Sequence, residues 1–108
     1  MRTVTARIQW RTESEGGRKH APPGPRYSTV ARFLSAEKSW LEEAWSLVVE
    51  YESELSAEGV VTAAVRFLVE GGPEEVLAVG GEFELMEGLK VVATGVVISE
   101  RTPEENGG

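Results

Sequence analysis

The residues best suited to chemistry in this 108-residue chain crowd into one stretch, EGGRKHAPPGPRY, from Glu15 to Tyr27. His20, the only histidine, follows Arg18 and Lys19 there. For nucleophilic catalysis it would have to meet a serine across the fold, with a carboxylate to orient it. No segment resembles the strand–turn–helix elbow that exposes such a serine. Cysteine and aspartate are both absent, which removes thiol catalysis, thiolate metal sites and disulfide frameworks, and leaves His20 without neighbours at metal-ligand spacing. Glu42 and Glu43, Glu74 and Glu75, and Glu82 and Glu84 satisfy the composition of a paired-carboxylate glycosidase, but neighbouring glutamates at turns are ordinarily solvated surface charge. The GxxxxGK[ST] cradle for a nucleotide triphosphate is missing as well. A non-catalytic protein with no metal and no cofactor is the expectation.

Binding is the chemistry left to that stretch. Gly16 and Gly17 permit a turn with positive φ, while Pro22, Pro23 and Pro25 fix φ and lower the entropy lost on ordering a long loop. An ordered loop carrying Arg18, Lys19, His20 and Arg26 can engage carboxylates or phosphates; it can equally be a solvated charged corner. The net charge of −7 argues against indiscriminate nucleic-acid binding. That average hides a split: residues 1–38 carry eight basic groups against three glutamates, residues 39–108 three against fifteen. Either the fold presents a basic face to an anionic partner, or strands from the two halves intermix and the asymmetry vanishes in space.

The elements that must position this loop read as β-strands. Val4, Ala6, Ile8 and Trp10 alternate with polar residues, the period of a half-buried strand. Tyr27 to Leu34 resumes strand character after the loop. Ser35 to Ala44 holds a helix-start signal and fits a single helical turn or a crossover. Trp45 to Glu52 alternates again, Val60 to Glu70 is a β-branched run, and Gly71, Gly72 and Pro73 break it. Short strands are expected at Val76 to Val79 and Phe83 to Met86, then a turn at Glu87 and Gly88, and a last strand from Leu89 to Ser99. Strands with Gly and Pro turns at near-regular spacing argue for an all-β sandwich or barrel. Trp10 and Trp45 are expected in the core, and Trp40 either there or exposed as an anchor. One domain is expected over residues 1–100, with a disordered tail at 101–108. The amino terminus lacks the apolar run of a signal peptide and no stretch is apolar enough to span a bilayer as a helix, so a cytoplasmic protein with no membrane association is expected.

Two separated segments carry a family resemblance. EGGRKHAPPGPRYSTVARF, preceded by ARIQW, resembles the start of the third, C-terminal domain of elongation factor Tu, where a strand runs into a GGRHTP-type loop and then a GYRPQFYFR-type strand. VVTAAVRFL, Val60 to Leu68, is similar to the family's VT-x-x-VEL strand, and FELMEGLKVVATGVV, Phe83 to Val97, lies ungapped on the family's FAIREGGRTVGAGVV ending. The likeness covers most of residues 4–34 and 60–98; Ser35 to Gly59 shows little of it, and Glu70 to Glu82 reads as an insertion. It implies a six-stranded antiparallel β-barrel. In the parent factor that domain does no chemistry: it packs on the GTPase domain, contacts the T-stem of aminoacyl-tRNA and helps bind the nucleotide-exchange factor. The chain reads as a stand-alone relative, for which no GTP binding is expected.

By the same resemblance, Glu87 stands where the family has the glutamate of REGG on its tRNA-contacting surface, with Met86 in place of the preceding arginine. Ser28 stands for the glutamine of RPQ, Lys90 for the arginine of GGR, and His20 for the loop histidine after a one-residue offset. Arg18, Arg26 and Arg32 match family arginines, Leu89 replaces the second glycine of EGG, and Gly95 matches a glycine. Loss of the basic partner at Met86 and the acidic balance argue against tRNA delivery. The expected contact residues are Arg18, Lys19, His20, Arg26, Arg32, Glu87 and Lys90. Their partner is expected to be a protein, with structured RNA and a translation-accessory role as the alternative, and a small-ligand barrel as the third.

Overall fold

The computed structural model describes residues 2–34 and 45–101. The expected helical turn or crossover at Ser35 to Ala44, with Trp40, lies outside the described residues, as do residues 102–108. Six strands form: β1 Thr3–Trp10, β2 Arg26–Phe33, β3 Trp45–Tyr51, β4 Val60–Phe67, β5 Glu82–Glu87 and β6 Lys90–Arg101. They close into an all-antiparallel barrel in the order β1, β4, β3, β2, β5, β6. Closure gives each strand a partner on both sides and removes the open edges that a flat sheet would expose. Among the described residues no helix is long and apolar enough to cross a membrane.

Alternation dictates the core. On β1, Val4, Ala6, Ile8 and Trp10 point inward, and on β4 Val61, Ala63, Val65 and Phe67 do the same. They meet Leu47 and Val49 of β3, Ala31 and Phe33 of β2, and Phe83 and Leu85 of β5 in one buried cluster. Small and large residues share it. Gly95 of β6 stands where a Cβ would lie 2.4 Å from the tip of the Phe83 ring, so the missing side chain is the space that the ring occupies. Trp10 is 3% exposed, as expected for core; Trp45 is half-buried, packing against the cluster with its ring 5.9 Å from Phe67.

The strand expected at Val76 to Val79 does not form. Glu74–Leu77 is a 3-10 turn that begins at Pro73, and it buries Val76 and Leu77. Arg2 holds this turn: its backbone N–H donates to the Glu74 carboxylate at 3.2 Å and its guanidinium to the Glu74 carbonyl at 3.1 Å. β6 extends past its expected end at Ser99 through Arg101, assigned by sequence to the tail; Arg101 pairs with Thr3 and forms an ion pair with Glu52. Two residues of β6, Val92 and Ile98, are skipped in the pairing with β5 and β1 respectively. Such bulges increase local twist and bend a long strand around a small barrel.

Candidate contact site at one end of the barrel

The loop from Arg11 to Pro25 joins β1 to β2 and is fastened at several points. A 3-10 turn at Glu13–Glu15 opens it, with the Thr12 N–H donating to Glu15 Oε1 at 2.9 Å; that bond, with the Thr12 hydroxyl and the charge of Arg11, outweighs the desolvation cost and lowers the Glu15 pKa. Gly16 then takes φ +90°, as its position predicts. The proline-rich half is held by Tyr51 of β3. Its N–H donates to the Pro25 carbonyl and its hydroxyl to the Pro22 carbonyl, both at 2.7 Å. Burial raises the pKa of that phenol above its ordinary value.

Arg18 is the middle fastening. Its guanidinium forms an ion pair with Glu87 at the end of β5, donates through Nε to the His20 carbonyl at 3.0 Å, and lies 5.6 Å from the centre of the Tyr27 ring. The Tyr27 hydroxyl also donates to Glu87, and the Tyr27 ring meets Trp10 edge-on at 5.4 Å. A chain of contacts thus runs from the core through Tyr27 to the loop. Partial burial acts to raise the Glu87 pKa, but the hydrogen bonds from Tyr27 and Arg18 and the charges of Arg18 and Lys90 together hold it below the usual carboxylate range. For Tyr27, desolvation and the bond to Glu87 push the phenol pKa up.

Five of the seven residues singled out by sequence come together here. Arg18, Lys19, His20, Glu87 and Lys90 line a shallow depression of about 350 Å³. Behind it, Trp10, Arg11, Lys19 and the Leu55–Gly59 turn line a second hollow of about 470 Å³. Arg26 and Arg32 lie elsewhere. Arg26 opens β2 opposite Glu50 of β3, and Arg32 sits on the outer wall, where its guanidinium grips Glu84 of β5. Both Arg18 and Arg32 are therefore matched by glutamates from the acidic half of the chain, so the charge split of the sequence is partly cancelled in the fold.

Sequence reasoning began the last strand at Leu89 and did not count it among the contact residues, whereas β6 begins at Lys90. Leu89 is the second residue of the two-residue turn between β5 and β6, after Gly88 at φ +65°, and it is 87% exposed. A glycine with positive φ first in such a turn is the II′ hairpin pattern, in which the second position accepts an ordinary residue. The signal was in plain view: an apolar side chain at a turn otherwise made of Glu87, Gly88 and Lys90 has no core to reach.

Neither a scan of protein-family models nor a search of curated proteins finds a match to this chain.

Proposed function

We propose that this protein is a non-catalytic binding module that captures a protein partner on the barrel end formed by the Arg18–Pro25 part of the loop and the β5–β6 hairpin tip. The observation that carries this reading is Leu89, an apolar side chain held out in solvent between Glu87 and Lys90, which share their depression with Arg18, Lys19 and His20. An apolar anchor inside a charged rim is the anatomy of a protein interface, where the anchor supplies binding energy and the rim supplies orientation. The cations suit an acidic partner surface. An exposed apolar anchor at Leu89 serves a protein surface better than a phosphate backbone, which favours protein over RNA.

The second reading is a translation-associated RNA-binding accessory, a stand-alone relative of the third domain of elongation factor Tu. It rests on the sequence resemblance and on the closed six-stranded barrel that the resemblance implies. A ligand site inside the barrel is disfavoured because Leu47, Phe67, Phe83 and Leu85 fill the interior. The absence of cysteine suits a reducing cytoplasm.

The test is a tagged pull-down from native lysate with the wild type beside Leu89→Ser and the Arg18→Ala/Arg26→Ala double variant, identifying both protein and RNA. Under this reading one protein is captured, is lost with Leu89→Ser, and is retained as salt is raised. Captured structured RNA that is released steeply by salt and indifferent to Leu89 supports the accessory reading instead. An empty capture overturns both.

A further inference from the structure

A second surface lies at the other end of β5, on the outer wall of the barrel. The register places Arg7 of β1 beside Val96 of β6 and Val96 beside Glu82 of β5; in the next row Gln9, Thr94 and Glu84 line up in the same way. Short side chains on β6 between long ones on β1 and β5 make a trough of about 640 Å³, with Leu34 at its margin. That volume falls in the range of small-ligand sites.

Its charges are arranged in opposition. One wall offers the guanidinium of Arg7 and the amide of Gln9, the other the carboxylates of Glu82 and Glu84. Glu84 is already bonded to Arg32, but Arg7 and Glu82 are exposed and, among the described residues, neither forms an ion pair. The Gln9 Nε2 donates to the Glu58 carbonyl at 2.8 Å, which fixes the side chain and leaves its Oε1 free to accept. Between the walls, Val96 provides an apolar floor and Thr94 a hydroxyl.

We propose that this trough binds a short apolar peptide with both ends free, lying across β6 with its carboxylate on Arg7 and its ammonium on Glu82. The width selects the length. Arg7 and Glu82 stand on strands two spacings apart, about 9.5 Å, while an extended chain covers about 3.3–3.6 Å per residue. Two or three residues reach from wall to wall. A single amino acid carries both charges on one carbon and spans less than the separation of the two strands. Gln9 and Thr94 line the trough, and a carbonyl and a hydroxyl there can pair with a peptide group that would otherwise be desolvated over Val96.

The experiment is a titration of the full chain with leucyl-leucine, followed by backbone amide NMR, beside the N-acetylated, C-amidated form of the same dipeptide, free leucine, and the variants Arg7→Gln and Glu82→Gln. Saturable shifts confined to Arg7, Gln9, Glu82, Thr94 and Val96 are expected. Capping the peptide or shortening it to leucine should weaken binding, and either substitution alone should weaken it by about two- to fivefold. The substituted residues are exposed, so the spectra of the variants report folding directly. Absence of saturable shifts, equal binding of the capped dipeptide, or shifts centred on Leu89 and Lys90 would overturn the proposal. Absence of binding at the trough leaves the hairpin-tip interface untouched, whereas shifts centred on Leu89 and Lys90 would count in favour of that interface.

Discussion

The Glu87 carboxylate accepts hydrogen bonds from both Arg18 and Tyr27, so one side chain at the end of β5 ties the long β1–β2 loop to the barrel. The Tyr27 ring, edge-on to Trp10, completes the link to the core. Glu87→Gln keeps the shape and removes the charge. The expected cost is about 1–2 kcal/mol, less than a fully buried charged bond because both partners are about one third exposed. Urea unfolding measures it as a lowered midpoint with an unchanged slope.

The pH dependence follows from the same contact. Glu87 has a folded pKa below its unfolded value, so its contribution to stability is fully present above the ordinary glutamate range and is lost as pH falls through the folded pKa. Wild type should lose stability on acidification more than Glu87→Gln does, and the two unfolding curves should converge at acidic pH. Parallel curves would show that the carboxylate is not held by Arg18 and Tyr27 in solution.

Arg18 and Arg26 should separate in a stability assay although sequence treats them alike. Arg18→Ala removes an ion pair, a bond to the His20 carbonyl and a cation–ring contact, for about 1 kcal/mol. Arg26→Ala, at an exposed strand start, should stay within about 0.5 kcal/mol of wild type. Thermal melts of the two single variants decide it.

Gly95→Ala should destabilise by about 1–3 kcal/mol, because the added Cβ would collide with the Phe83 ring. Combining it with Phe83→Leu should recover part of the loss, and a double-mutant cycle measures that coupling. Trp10→Ala, emptying a site in the core, should cost about 3–5 kcal/mol.

Strand periodicity made most of the barrel legible from sequence. Val4 to Trp10 and Val60 to Phe67 alternate cleanly because each strand has one wet face and one dry face, and the pattern reports the face. It failed at Val76 and Leu77, where a 3-10 turn buries consecutive residues, and apolar content alone does not distinguish that from a short strand. The loop was legible through its glycines and prolines, and its basic residues through their charge. The pairing of Arg18 with Glu87 was not, since 69 residues separate them and only the closed register brings them together. The outer trough was hidden for the same reason: Arg7 and Glu82 read as unrelated surface charges until β6 is placed between them.

β1 and β6 pair from Thr3 and Arg101 at one end to Trp10 and Ala93 at the other. The barrel strand that is made first therefore waits for the one made last before the wall between them can be completed. The same adjacency brings the two ends of the barrel sequence side by side, so that a short splice could join them and new ends could be opened in an exposed connection such as Leu68 to Gly71 without changing a single pair in the sheet.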